Sequence, residues 1–176
     1  MSLARPNEAM TTVLVFGAVA AAAMAFEAVV AARHDLVLRG LGASEPPDDV
    51  YPIMRIVYPG AFLAMLAEGA WRDVHNGTVV TVGVAAFVLA KAIKYWVIAT
   101  LGTRWTFRVL VPPGSSRIVR GPYRWIDHPN YIAVALELAG TAIAMHALLT
   151  GPIAVVTFCL VMIQRVRIEE KALAER

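Results

Sequence analysis

Residues 131–164 read YIAVALELAGTAIAMHALLTGPIAVVTFCLVMIQ, an apolar run whose one charged residue is Glu137. A membrane span takes about 20 apolar residues, so this run is too long for one span and predicts two. The break falls at His146–Pro152, where Thr150-Gly151-Pro152 carries the helix-stop signal. The two pieces are short, and a tight helical hairpin is the natural reading.

Outward from the hairpin, the chain turns polar on both sides. Upstream lies a long polar segment, residues 102–130, with the turn signal Pro112-Pro113-Gly114. Downstream, Arg165-Val-Arg-Ile-Glu-Glu-Lys171 predicts a charged helix leaving the membrane. Three further apolar blocks precede the polar segment: Thr12–Ala32, Pro52–Ala70 and Gly77–Leu101. The second is interrupted by Arg55, Pro59 and Glu68 and closes on Trp71-Arg72-Asp73, an interfacial anchor. Trp96 and Trp105 fit an aromatic belt at the end of the third. The expected fold is therefore an all-α integral membrane bundle of about five transmembrane helices, the last two a hairpin, plus a C-terminal cytoplasmic helix. Residues 1–176 form a single domain, with three N-terminal spans in 1–101 and a catalytic region in 102–176.

Composition agrees. The chain is 59% hydrophobic and 16% charged, with a mean hydropathy of +0.62, whereas soluble domains are about 45–50% apolar and about 25% charged. The formal charge of +3 is no argument for a nucleic-acid partner, because basic loops are the orientation signal of membrane proteins. Cys159 stands alone in an apolar run, which excludes a disulfide framework or a zinc cluster and predicts a buried, inert thiol. The first apolar block follows Arg5 but is too long for a signal peptide, and is read as a retained span.

Orientation follows from the basic residues. Segment 102–130 holds Arg104, Arg108, Arg117, Arg120 and Arg124, while the loop near 72–76 holds Arg72 alone. The positive-inside rule then places 102–130 in the cytoplasm, the N-terminus outside and the C-terminus inside. The 33–51 loop, with Arg33 and Arg39, falls on the cytoplasmic face as well.

Charged groups inside the spans need partners. Glu27 predicts either an ion pair with Arg33 or Arg55, or a substrate-facing carboxylate. Lys91 and Lys94 are placed to snorkel toward the interface. Glu137 pairs with an arginine of the terminal helix or lines a cavity with Tyr131. In that helix Arg165 and Glu169 are spaced i,i+4, and Arg167 and Glu170 i,i+3.

The stretch Arg120-Gly-Pro-Tyr-Arg-Trp-Ile-Asp-His-Pro-Asn-Tyr131 concentrates basic, aromatic and imidazole groups immediately before a span. Gly121-Pro122 and His128-Pro129 fix two turns. By spacing alone it fits either a cofactor loop or an interfacial anchor.

The Gly-Pro-Tyr-Arg-Trp…His-Pro-Asn-Tyr stretch, the hairpin and the terminal Arg-Ile-Glu-Glu-x-x-Leu resemble the isoprenylcysteine carboxyl methyltransferase family. Those are integral membrane enzymes that use S-adenosylmethionine. Glu27 followed by Ala31-Ala32-Arg33, Arg39-Gly40, Tyr51-Pro52-x-Met54 and Leu66-x-Glu68 resemble a bacterial branch of it. That branch is often encoded beside type III polyketide synthases and is associated with O-methylation of alkylpyrones or phenolic lipids.

The resemblance implies a cofactor pocket between the hairpin, the loop before it and the terminal helix. It implies Arg165 and Glu169 as the catalytic pair, with Arg165 near the acceptor oxygen. Tyr123, His128, Pro129, Tyr131, Glu137, Arg167 and Glu170 are the implied cofactor contacts, Glu169 or Glu170 taking the ribose or amino-acid part. Glu27, Arg33, Tyr51 and Met54 are the implied substrate side. The family has Arg before His-Pro where this chain has Asp127, so that position is not carried over as a cofactor contact. The chain has no G-x-G run and no strand–helix alternation of the soluble methyltransferases.

Other readings share parts of the pattern. Membrane sterol reductases have a similar His-Pro-Asn-Tyr region and bind NADPH, but their chains are longer. Phospholipid N-methylation shares cofactor and topology. A small transporter would carry polar groups at mid-bilayer in paired repeats, and no repeat is visible. Candidate partners are a lipophilic or prenylated acceptor and the surrounding lipid.

Overall fold

The computed structural model describes residues 6–72, 77–114 and 118–174; its regular structure is helical, apart from one isolated antiparallel bridge between Ser44 and Val111. The expectations that fell on Arg5, Asp73 and Arg117 lie outside the described residues. Five α-helices follow in order: α1 Pro6–Gly40, α2 Tyr51–Arg72, α3 Gly77–Leu101, α4 Pro129–Ala144 and α5 Thr150–Ala174. Two short 3-10 turns, Gly102–Arg104 and Gly121–Arg124, punctuate the segment between α3 and α4. Four helices (α1, α2, α3 and α5) are long and apolar enough to cross a membrane. The protein is an all-α integral membrane protein, and α4–α5 is the expected hairpin.

Helix lengths place the site. At 1.5 Å per residue, the 16 residues of α4 span only about 24 Å, less than the ~30 Å hydrocarbon core. The 25 residues of α5 span about 37 Å. The hairpin turn aligns the end of α4 with the start of α5. The shortfall therefore falls at the opposite end, where Pro129 opens α4 and α5 runs on past it. No separate terminal helix exists among the described residues: the charged segment is the last part of α5 itself. Nothing in Arg165–Lys171 breaks a helix, so the helix does not stop at the end of its apolar part.

Helix α1 also outruns its predicted span. It continues through residues 33–40, which had been expected as loop, because that stretch holds no Pro and buries Leu38. It ends where the Ala43 amide reaches back to the Leu38 carbonyl at 3.0 Å.

The core lies among all five helices, with Phe16, Phe62, Met65, Phe87, Leu138 and Met145 in it. Helices α3 and α4 pack on small residues. A Cβ at Gly140 would stand 2.7 Å from the Phe87 amide nitrogen, and one at Gly83 would collide with the Ala144 backbone. At the far end from the site, buried Glu68 of α2 caps the start of α5. It accepts from the Thr150 amide at 2.7 Å, the Thr150 hydroxyl at 2.6 Å and Arg72 Nε at 2.6 Å. The acidic interruption of the second span is thus a helix cap.

Five sequence expectations, those for Glu27, the two lysines, Glu137, Trp105 and Cys159, are corrected by packing. Glu27 pairs with neither Arg33 nor Arg55. It takes Lys91 at 2.6 Å through Oε1 and Lys94 at 2.6 Å through Oε2. The second contact is close but poorly aligned for hydrogen bonding, so it is an ion pair only. The two lysines do not snorkel; both are buried, and they also face Glu137 at 3.2 and 3.4 Å. Tyr58 donates to Glu137 as well. Two carboxylates and two ammonium groups thus form a buried, formally neutral quartet that joins α1, α3 and α4, with α2 tied in through Tyr58. Trp105 is no belt residue: it is 2% exposed and its indole donates to Asn130 Oδ1 at 3.2 Å. Cys159 is exposed on the outer side of α5 rather than buried.

Candidate functional site

Where α4 falls short, the described residues of the 102–128 segment border an open cavity of about 610 Å³. Tyr123, Asp127, His128, Tyr131, Glu169 and Glu170 line one part of it. Leu101, Val109, Leu110, Val111 and Ile118 give it an apolar wall, and Arg104, Arg108 and Arg165 its cations.

The turn that presents Tyr123 depends on one glycine. Gly121 takes φ +58°, and a Cβ there would strike the Thr100 side chain at the end of α3. Arg120 donates to the Thr100 carbonyl at 3.3 Å beside it. Burial, and after it the charge of Glu169, push the Tyr123 phenol above its ordinary range, so it stays neutral.

His128 precedes α4, and Pro129 starts it at the position where a missing N–H costs nothing. The His128 and Tyr131 rings stack, with centroids 5.5 Å apart and planes 13° from parallel. His128 Nε2 lies 3.4 Å from Glu170 Oε1. The Tyr131 hydroxyl donates to Glu169 Oε2 at 2.6 Å and accepts from Arg165 Nε at 3.0 Å. Helices α4 and α5 therefore meet in an Arg165–Tyr131–Glu169 chain on the cavity wall. The intrahelical pairs expected within α5 give way to these contacts, as Glu169 and Glu170 turn to Tyr131 and His128.

The end of α1 and the α1–α2 loop line no part of this cavity but back it through Arg108. Arg108 pairs with Glu45 at 2.6 Å and with Asp35 at 3.4 Å, and stacks over Tyr51 at 4.3 Å. Arg39 holds the other oxygen of Glu45 at 2.5 Å. Burial opposes ionisation of Glu45, but the two arginines outweigh it and hold the carboxyl below its ordinary range. Thr106 donates to Asp35, and His34 contacts the Trp105 carbonyl at 2.7 Å.

Of the residues implied from sequence, Tyr123, His128, Tyr131, Arg165, Glu169 and Glu170 line the cavity. Met54 touches Arg165 through its sulfur at 3.7 Å, and Tyr51 reaches the site through Arg108. The others do not line it. Glu27 and Glu137 are sequestered in the buried quartet. Pro129 is buried and acts as a helix start. Arg33 is exposed on α1. Arg167 is exposed, since two residues along a helix turn it about 200° away from Arg165. Asp127, set aside because its charge is reversed, does line the cavity. Asp49, Arg108, Trp105 and Asn130 are not among the site residues that the resemblance implies. Asn130 sits inside the His-Pro-Asn-Tyr motif, and Asp49 carries a local signal of its own, an Asp two residues before the first residue of a helix.

Among the described residues no group of His, Cys, Asp and Glu is arranged to hold a metal ion.

Residues 81–175 match the family described as the isoprenylcysteine carboxyl methyltransferase (ICMT) family. The chain is 30% identical over 152 residues to the uncharacterized protein YpbQ of Bacillus subtilis (strain 168), covering 86% of this chain and 90% of that one. It is 22% identical over 143 residues to an uncharacterized protein of Haemophilus influenzae, covering 81% and 83%. No solved structure matches. The matched segment runs through α4 and α5 and holds every residue that lines the cavity, and on that match the chain belongs to the isoprenylcysteine carboxyl methyltransferase family of membrane methyltransferases.

Proposed function

We propose that the protein is an S-adenosylmethionine-dependent O-methyltransferase acting on a lipophilic acceptor at the cytoplasmic face of a bacterial inner membrane. The N-terminus is outside and the C-terminus inside in this reading. The observation that carries it is the meeting of aromatic faces, carboxylates and arginines in one cavity at the end of the short helix α4.

The donor set fits the cofactor. When bound, S-adenosylmethionine supplies a methyl group on a positively charged sulfur. Glu169 and Glu170 are acceptors for vicinal ribose hydroxyls. Tyr123 and the His128–Tyr131 stack offer aromatic faces to a cation. Arg104 and Arg108 offer cations to a carboxylate.

Arg165 is the acceptor-side residue. Its Nε is engaged by Tyr131 and one Nη group points to Asp49. A guanidinium has five N–H donors, so others remain for an acceptor oxygen. The positive charge favours the oxyanion of a carboxylate, phenol or enol. Holding acceptor and methyl in line supplies roughly 7–11 kcal/mol of the barrier. Leu101, Val109, Leu110 and Ile118 offer an apolar wall to a lipid tail. The acceptor is a lipid-tailed polyketide such as an alkylpyrone or phenolic lipid, or a prenylcysteine, entering sideways from the bilayer.

Membranes containing the full chain, incubated with methyl-labelled S-adenosylmethionine and these lipids, test the reading by product mass spectrometry. A labelled methyl on oxygen is the expected product. Label on a phospholipid amine, or NADPH-dependent saturation of a lipid, would replace it.

A further inference from the structure

Asp49 lies in the α1–α2 loop, outside the 81–175 segment that matches the family. Its carboxylate is only 4% exposed. A buried charge is costly unless it is paired and hydrogen-bonded. Asp49 meets both conditions. Oδ1 accepts from the Tyr51 amide at 3.1 Å, and Oδ2 from the Val109 amide at 2.9 Å. Its ion-pair partner is Arg165, with Nη1 3.4 Å from Oδ1.

One carboxylate therefore touches three parts of the site. It pins the start of α2, the cavity segment at Val109 and the guanidinium on α5. Arg165 is itself buried, with its side chain 6% exposed, and is gripped from two directions. Tyr131 takes Nε from the α4 side, and Asp49 and the Met54 sulfur take Nη1 from the α2 side. A guanidinium is planar, so fixing Nε and one Nη fixes the direction of the remaining donors.

We propose that Asp49 is a positioning residue that orients Arg165 toward the acceptor, so that the α1–α2 loop backs a site whose walls lie in the family-matched half. The acceptor role of Arg165 rests on the methyltransferase reading; the clamp itself does not. Residue 101 is then no functional boundary. The N-terminal spans supply the acceptor-side support, and residues 102–176 supply the cofactor wall.

The test uses the full-length protein in detergent or nanodiscs. With [15N]arginine labelling, the buried Arg165 Nε–H gives an exchange-protected resonance, assigned by its loss in Arg165→Lys. Asp49→Asn keeps the size of the side chain and an acceptor oxygen but removes the charge. It is expected to shift this resonance or abolish its protection, while S-adenosylmethionine affinity stays within about twofold. Methylation of an alkylresorcinol or alkylpyrone probe is expected to fall about 10- to 100-fold in kcat, with partial recovery in Asp49→Glu. An unchanged Arg165 resonance in Asp49→Asn overturns the proposal. So does a loss of cofactor affinity as large as the loss of turnover, which marks a general structural role. If no probe is methylated by the wild type, the functional reading fails, and the arginine resonance still decides the clamp.

Discussion

Tyr131 and Glu169 meet across the α4–α5 hairpin, hydroxyl to carboxylate, at 2.6 Å. Hydrogen bonds to charged groups contribute about 1.5–3 kcal/mol, or roughly 10- to 150-fold in an equilibrium. Tyr131→Phe removes this bond and the support of Arg165 Nε together. Turnover is expected to fall at least tenfold while the helical content by circular dichroism is retained.

Glu169 and Glu170 separate by their surroundings. Glu169 is half-buried and fixed by Tyr131, whereas Glu170 is exposed and only 3.4 Å from His128 at its closest. Glu169→Gln is expected to weaken S-adenosylmethionine binding about tenfold or more, and Glu170→Gln by a few-fold at most. Isothermal titration of both variants checks the order.

The buried quartet ranks among the most demanding electrostatic features of the fold. Removing one partner of a buried ion pair costs about 3–5 kcal/mol, because its counter-charge is left without compensation. Glu27→Gln is therefore expected to lower the melting temperature in detergent strongly. Glu27→Gln with Lys91→Met, which restores neutrality, is expected to recover much of the loss. Equal destabilisation by the single and double variants would contradict the pairing of Glu27 with Lys91.

The α1–α2 loop carries a pH dependence. Arg108 and Arg39 outweigh the burial of Glu45 and hold its carboxyl below the ordinary value of 4.5. A depressed carboxyl pKa adds stability that is complete above the unfolded value and lost as pH falls through the folded one. The melting-temperature difference between wild type and Glu45→Gln is expected to be constant above about pH 6 and to shrink below about pH 4.5.

Much of the architecture was legible in sequence because apolar runs and breakers are local signals. The hairpin break before Pro152 and the bounds Gly77–Leu101 of α3 follow from them directly. Helix α1 ran past its predicted end because charge alone does not stop a helix that still buries Leu38. In the site, Tyr131, Arg165 and Glu169 were legible through motif resemblance. Glu27 and Glu137 are not assignable from spacing, because their partners Lys91 and Lys94 stand 43 to 67 residues away in the chain, a pairing that no local signal encodes. Asp49 and Arg108 were hidden for the same reason: their roles exist only once the α1–α2 loop folds onto the cavity segment.

In the proposed function, the cavity between α4, α5 and the 102–128 segment binds S-adenosylmethionine. Isothermal titration of the purified full-length protein with S-adenosylmethionine, with NADPH in a parallel arm, tests it most directly. The account predicts saturable S-adenosylmethionine binding that Glu169→Gln weakens about tenfold or more, and none for NADPH. Binding of NADPH alone, or S-adenosylmethionine binding untouched by Glu169→Gln and Tyr131→Phe, would contradict it.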